Sequence, residues 1–189
     1  MTANIQLNHF CLERNTYISR MKAGFYKVAF PNLSVEIDPD KSYDHFMNLI
    51  RSVNPDLQWD KQWKIRDRKA VEDKLADPSV RIYKLLDGDK PVGFSVIKPA
   101  PSTFRSRFSA AAANKPAMEI DYLALFHGEE GKGRGAAFFQ IFFDKIFKDN
   151  EIVYWTQYSS NAPTLKDFYV KKMGMTLLDT DVVPDFRIA

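Results

Sequence analysis

Between Gly131 and Gly135 the chain alternates glycine with a cation: Gly131, Lys132, Gly133, Arg134, Gly135. Glycine lets a backbone approach a ligand closely and take conformations closed to other residues. The residues before this turn, Ala117 to Phe126, read as a strand. Those after it, Gly135 to Phe147, read as a helix that is apolar on most of its surface. The first N–H groups of a helix lack intrahelical partners and favour anions. The turn therefore reads as a phosphate cradle built from the backbone of Gly131 to Ala136. Lys132 and Arg134 either meet phosphates or are simply solvated. Upstream, Glu119 and Asp121 stand on the same strand face as Leu123 and Leu125, because side chains alternate along a strand. A carboxylate partly buried in such a place suits proton abstraction, since burial favours its protonated form.

The elements that must position these residues follow from periodicity. Asn4 to Cys11 reads as a short first strand. Thr16 to Phe30 carries apolar residues at helical spacing (Tyr17, Met21, Phe25, Val28) and is stopped by Pro31. Ser42 reads as the N-cap of a second helix with Phe46, Met47, Ile50 and Val53 on its stripe. A third helical segment runs from about Asp60 to Ala76. The period then changes. Val80 to Leu86 and Pro91 to Ile97 form a hairpin around Asp87 and Gly88. A long connection, Pro99 to Pro116, holds Arg105 and Arg107. Loops of this length are usually functional. Glu151 to Gln157 is a strand. A helix follows from Asn161, with Pro163 in its first turn and Gly174 past its end. Met175 to Leu178 and Val182 to Ile188 read as a closing antiparallel pair.

Three phosphate ligands compete for the glycine turn. A P-loop needs a lysine after its second glycine and then a hydroxyl; Lys132 stands before Gly133 and no hydroxyl follows. A dinucleotide fingerprint is matched by Gly131, Gly133 and Ala136. It should be followed by an acid about 20 residues on. Here the next strand ends at Thr156 and Gln157, and only 53 residues follow Ala136. The third ligand is coenzyme A. Glu130-Gly-Lys-Gly133-Arg-Gly135 resembles the Gln/Arg-x-x-Gly-x-Gly/Ala segment of the GNAT superfamily of N-acetyltransferases, departing only at Glu130. Leu123-Ala-Leu125 stands five residues ahead, where that family has Leu-x-Val. The Leu86 to Phe94 hairpin resembles its second and third strands. Asn161 to Met175 is similar to its Asn-x-x-Ala to Tyr-x-x-x-Gly-Phe segment. Here Tyr169 lies five residues before Gly174 and Val170 holds the usual tyrosine place. The resemblance covers Val80 to Met175.

The resemblance implies an acetyl-CoA cosubstrate, no metal, and direct attack by a primary amine in a ternary complex. Leu123, Leu125, Gly131, Lys132, Gly133, Arg134, Gly135, Ala136 and Asn161 would bind coenzyme A. The backbone N–H of Leu125 would stabilise the thioester oxygen. Glu119, six residues before it, matches the glutamate base of the histone-acetyltransferase branch, with Asp121 as second choice. Tyr169 would protonate the leaving thiolate, with Tyr158 as the alternative. Each has a plainer reading: Leu125 as a core strand residue, Glu119 as a paired carboxylate, Tyr169 as a packed aromatic, Asn161 as an ordinary N-cap. A coenzyme A-binding regulatory module without turnover is the rival function, and a dinucleotide-binding protein the remote one.

The implied fold is α/β: a GNAT-like mixed, mostly antiparallel twisted sheet of six to seven strands flanked by helices, with an extended N-terminal helical region. One domain is expected over the 189 residues. Residues 1–79 would form the acceptor side, 80–175 the acetyl-CoA core and 176–189 the C-terminal strands. The acceptor is a small-molecule or peptide amine. A net charge of +3 is too small to argue for nucleic acid, and the Lys61 to Lys74 segment offsets six bases with three acids. Cys11 is the single cysteine, which points to a reducing, cytoplasmic setting. No run reaches the roughly 18 apolar residues of a membrane span, and no signal peptide is evident. His127 reads as incidental. A homodimer is compatible with all of this.

Overall fold

The computed structural model describes residues 4–26, 31–53, 55, 68–108, 112–158 and 163–184, and the statements below concern these. Seven strands form one mixed sheet in the order β2-β3-β4-β5-β6-β1-β7. They are β1 (Asn4–Glu13), β2 (Leu33–Asp38), β3 (Arg81–Asp87), β4 (Lys90–Pro99), β5 (Ala117–Leu125), β6 (Ile152–Tyr158) and β7 (Thr176–Pro184). β5 and β6 pair parallel. β1 with β6, β1 with β7, β2 with β3 and β3 with β4 pair antiparallel. Six helices are described: α1 (Arg14–Lys22), α2 (Tyr43–Val53), α3 (Arg68–Ala76), α4 (Ser102–Arg105), α5 (Arg134–Ile146) and α6 (Pro163–Asp167). A π-helical turn, Phe168–Lys172, extends α6.

The chain divides into two compact units, and the division falls inside β5. One unit comprises Met1–Ala29, Pro99–Ile120 and Phe139–Ala189. In it β1 lies between β6 and β7 and is buried on both faces from Asn8 to Leu12. One face of its sheet is covered by the segment after β4. Cys11, Ala117, Ile152 and Tyr154 pack there against Ala100, Phe108 and Ala112. The opposite face carries an aromatic cluster in which Phe10, Phe139 and Trp155 surround Tyr169.

The other unit comprises Phe30–Lys98 and Asp121–Phe138. α2 and α3 place Phe46, Met47, Ile50, Val71 and Leu75 against Val80, Ile82, Phe94 and Val96. Ser42 caps α2 as its sequence implies, its Oγ accepting from the His45 N–H at 3.3 Å. Gly93 marks a close approach of β4 to β5. A Cβ there would lie 2.3 Å from the Ala124 carbonyl oxygen.

Three expectations are corrected. The N-terminal region is not an extended helical region. It opens with β1, and Leu33 to Asp38, which alternate apolar and polar between Pro31 and Ser42, form β2 at the sheet edge. The first helix ends at Lys22 rather than continuing through Phe25, because Gly24 turns the chain at φ +70°. The closing pair is instead one strand, β7, which runs along β1 from Asn4↔Pro184 to Cys11↔Thr176 and bends at a bulge between His9 and Phe10. Pairing with a strand 165 to 180 residues away in the chain leaves no local sign.

Candidate active site

The glycine turn takes backbone conformations that favour glycine. Gly131 and Gly133 both sit at φ +76°, and Gly128 at φ +80°. These are left-handed conformations that a side chain disfavours. α5 begins at Arg134, directly after Gly133, so its first backbone N–H groups belong to the turn. Gly135 lies inside the helix. The loop is fixed from outside by backbone bonds: Phe126 N–H to Val92 O and His127 N–H to Ser52 O, each 2.8 Å.

Its cations are engaged within the protein. The Arg134 guanidinium bonds Glu129 Oε2 at 2.5 Å and also pairs with Asp87. Lys132 Nζ lies 3.4 Å from Glu129 and 3.4 Å from the Gly128 carbonyl. Lys90 pairs with the same carboxylate. Glu129, 9% exposed, is thus the hub of the turn. Hydrogen bonding by Lys90, with further bonds from Lys132 and Arg134, lowers its carboxyl to about 2. Sequence reading missed Glu129. Its position three residues before Lys132 is the signal that could have found it. Glu130, the departure from the family pattern, is exposed.

β5 separates its two carboxylates by environment. Glu119 is 3% exposed and lies opposite Tyr154 in the parallel ladder with β6. Asp121, in the other unit, is held by Lys74 and by Lys98 at 2.8 Å. Burial acts to raise the Asp121 carboxyl, but the two lysines outweigh it and hold it below the usual carboxylate range. An anion so strongly stabilised is a poor proton acceptor. Leu123 and Leu125 are partly buried in the same strand.

Tyr169 is 7% exposed and Val170 38%. The π turn explains why. Its wider hydrogen bonding, Met173 N–H to Phe168 O at 3.0 Å, takes up one residue more than an α-turn does. The one-residue offset of Tyr169 from the family spacing is absorbed there, and Tyr169 rather than Val170 turns inward. Burial pushes its phenol up to about 12, with the Trp155 indole pulling the other way. Alternation along β1 and β6 puts Tyr169's partners Phe10 and Trp155 on the opposite face from Cys11 and Tyr154, the face of Glu119. Glu119 and Tyr169 therefore do not share a face of the sheet. Tyr158 ends β6. Asn161 lies outside the described residues, as does Lys61 to Asp67 of the basic segment. Among the described residues no group of three or more His, Cys, Asp or Glu is placed to hold a metal ion, and no helix is long and apolar enough to cross a membrane.

The fold is GNAT-like. Solved structures similar over nearly the whole chain include a GCN5-related N-acetyltransferase from Kribbella flavida, with TM-score 0.52, 11% identity, 94% of this chain and 57% of that one. A second, from Anabaena variabilis, gives TM-score 0.53 and 12% identity over 94% of this chain and 39% of that one. A functionally unknown conserved protein from Staphylococcus epidermidis gives TM-score 0.56 and 10% identity over 95% and 60%. The chain thus spans less than two thirds of each of these proteins. No family model and no curated protein matches the sequence.

Proposed function

We propose that the protein is an acetyl-CoA-dependent N-acetyltransferase. The observation that carries this reading is the pair of left-handed glycines, Gly131 and Gly133, set directly before α5 in a GNAT-like fold. In this reading the amides of Gly131 to Ala136 hold the coenzyme A pyrophosphate. The Leu125 N–H receives the thioester oxygen as it gains charge, a contribution of about 3 kcal/mol to the barrier. Glu119 takes the proton of the acceptor ammonium, whose reference pKa is near ~10.4. The amine then attacks the thioester carbon and the tetrahedral intermediate collapses. Coenzyme A leaves as the thiolate and takes up the second proton of the acceptor nitrogen, so the step balances without Tyr169, which lies on the sheet face opposite Glu119. The acceptor is a primary amine of a small molecule or peptide.

The test is thiol release from acetyl-CoA across a panel of primary amines, with calorimetric coenzyme A binding alongside. Wild type is expected to turn over at least one amine. Glu119→Gln should lower kcat by about 10²–10⁴-fold while coenzyme A still binds. Gly133→Val should abolish coenzyme A binding in a protein that still shows a cooperative melt. Binding without turnover of any amine would replace this reading with a regulatory coenzyme A-binding module.

A further inference from the structure

Behind Glu119 stands a row of polar side chains that runs across the sheet. Glu119 on β5 is the ladder partner of Tyr154 on β6, so the two side chains project side by side from the same face. The Tyr154 hydroxyl lies 2.5 Å from His9 Nδ1 on β1. His9 Nε2 lies 2.8 Å from Asp181 Oδ2 on β7. Arg107, from the segment after β4, bonds Asp179 at 2.6 Å and Asp181 at 2.7 Å. Four adjacent strands thus contribute one ionisable group each, and all lie within one compact unit.

The row is graded from dry to wet. Tyr154 is fully buried and His9 is 1% exposed, both beneath the Phe104 ring, whereas the Asp181 side chain is 36% exposed. The hydrogen bond from His9 comes first among the causes that hold the Asp181 carboxyl below its usual range, with Arg107 adding to it. An ionised Asp181 accepts from the His9 Nε2–H. That leaves Nδ1 as the acceptor of the Tyr154 O–H. This is the orientation in which a histidine takes a proton from a hydroxyl and a carboxylate steadies the resulting imidazolium. The cost of burying such polar groups is large unless each is satisfied, and this row satisfies His9 at both nitrogens. The groups that face His9 are Tyr154 from β6, Asp179 and Asp181 from β7, Arg107 and Phe104 from the covering segment, and Cys11 from its own strand.

We propose that Tyr154, His9 and Asp181 form a proton relay that carries the acceptor amine's proton from Glu119 to solvent. This rests on the acetyltransferase reading, which gives Glu119 a proton at every turnover but gives a 3% exposed carboxylate no direct outlet. The proton on the Glu119 carboxyl passes to the Tyr154 oxygen as the phenol's own proton passes to His9 Nδ1. The imidazolium, steadied by an Asp181 that stays ionised, then releases its Nε2 proton to water at the exposed end of the row. Exchange with water returns His9 to its Nε2–H tautomer, one proton taken up at Nε2 for one lost from Nδ1, and the Tyr154 O–H turns back to Nδ1. One proton leaves the acceptor ammonium and one enters solvent. None of the three relay residues touches the substrate.

Steady-state kinetics of Tyr154→Phe and Asp181→Asn test the relay. Tyr154→Phe keeps the ring on Phe104 and Asp181→Asn alters a partly exposed group, so at least one variant should fold like wild type by melting. Each is expected to lose about tenfold in kcat with KM for both substrates unchanged. In each, kcat should then rise with the concentration of a small buffer base such as imidazole, which replaces the relay. Wild type should not depend on buffer. Variants with wild-type kcat, or with lost activity that no buffer restores, overturn the relay while leaving the acetyltransferase reading intact if Glu119→Gln is impaired. An inactive wild type overturns both.

Discussion

Glu129 illustrates how one carboxylate organises a glycine turn. Glycines give the loop its shape but cannot hold it; the carboxylate gathers Lys90, Lys132 and Arg134 and ties the loop to the start of α5. Its lowered carboxyl, about 2 against an ordinary 4.5, fixes the sign of the pH effect. A depressed folded-state pKa stabilises the protein above the unfolded value and stops doing so as pH falls through the folded one. The difference in melting temperature between wild type and Glu129→Gln should therefore be constant above about pH 5, shrink below 4.5 and vanish near 2. A difference that persisted at pH 2 would mean that Glu129 acts through packing and not charge. Tyr169 carries a different lesson. Its type was legible as a candidate acid, but its inward direction was not. Helical spacing alone would have turned Val170 to that place, and only the π turn reverses the two.

At the scale of elements, the approach of β4 to the end of β5 is set by an absent side chain. Gly93 would put a Cβ 2.3 Å from the Ala124 carbonyl oxygen and 3.0 Å from the Leu125 Cα. Neither backbone atom can step aside cheaply. Gly93→Ala should therefore destabilise the fold by about 1–3 kcal/mol, read by chemical denaturation, and on the proposed acetyltransferase reading should also lower turnover by displacing Leu125. An unchanged midpoint would show that β4 slides freely there. The hairpin around Asp87 and Gly88, the Ser42 cap and the strand–glycine–helix run were all readable, because each is specified by neighbours in the chain. β2 was readable in principle: Leu33, Val35 and Ile37 alternate with Ser34, Glu36 and Asp38. Its shortness and its exposed edge position gave that alternation little weight. The extent of β7 was not readable, since its length is decided by β1.

At the scale of the molecule, β1 is the central strand of its unit, and Cys11 lies in it at 6% exposure. Burial, with a smaller contribution from Glu13, pushes its thiol up to about 12. A thiolate is the reactive form, so Cys11 should react with a disulfide reagent only when the unit opens. Its labelling rate at neutral pH is expected to be far below that of an unfolded thiol and to rise with denaturant along the global unfolding curve. Labelling that proceeds fully in native buffer, without denaturant dependence, would show that β6 or β7 detaches on its own. What the sequence by itself determined was local: a glycine turn between a strand and a helix, a strand ending in Leu125, two carboxylates two residues apart, and the elements around them. These follow from dihedral freedom and periodicity within a few residues. Only the tertiary structure decided which carboxylate is ion-paired and which is buried. It alone turned Tyr169 inward, and it alone aligned Glu119, Tyr154, His9 and Asp181 across four strands. Those outcomes depend on strand order and register between segments 23 to 172 residues apart, where the partner that sets each environment lies outside any local window of the chain.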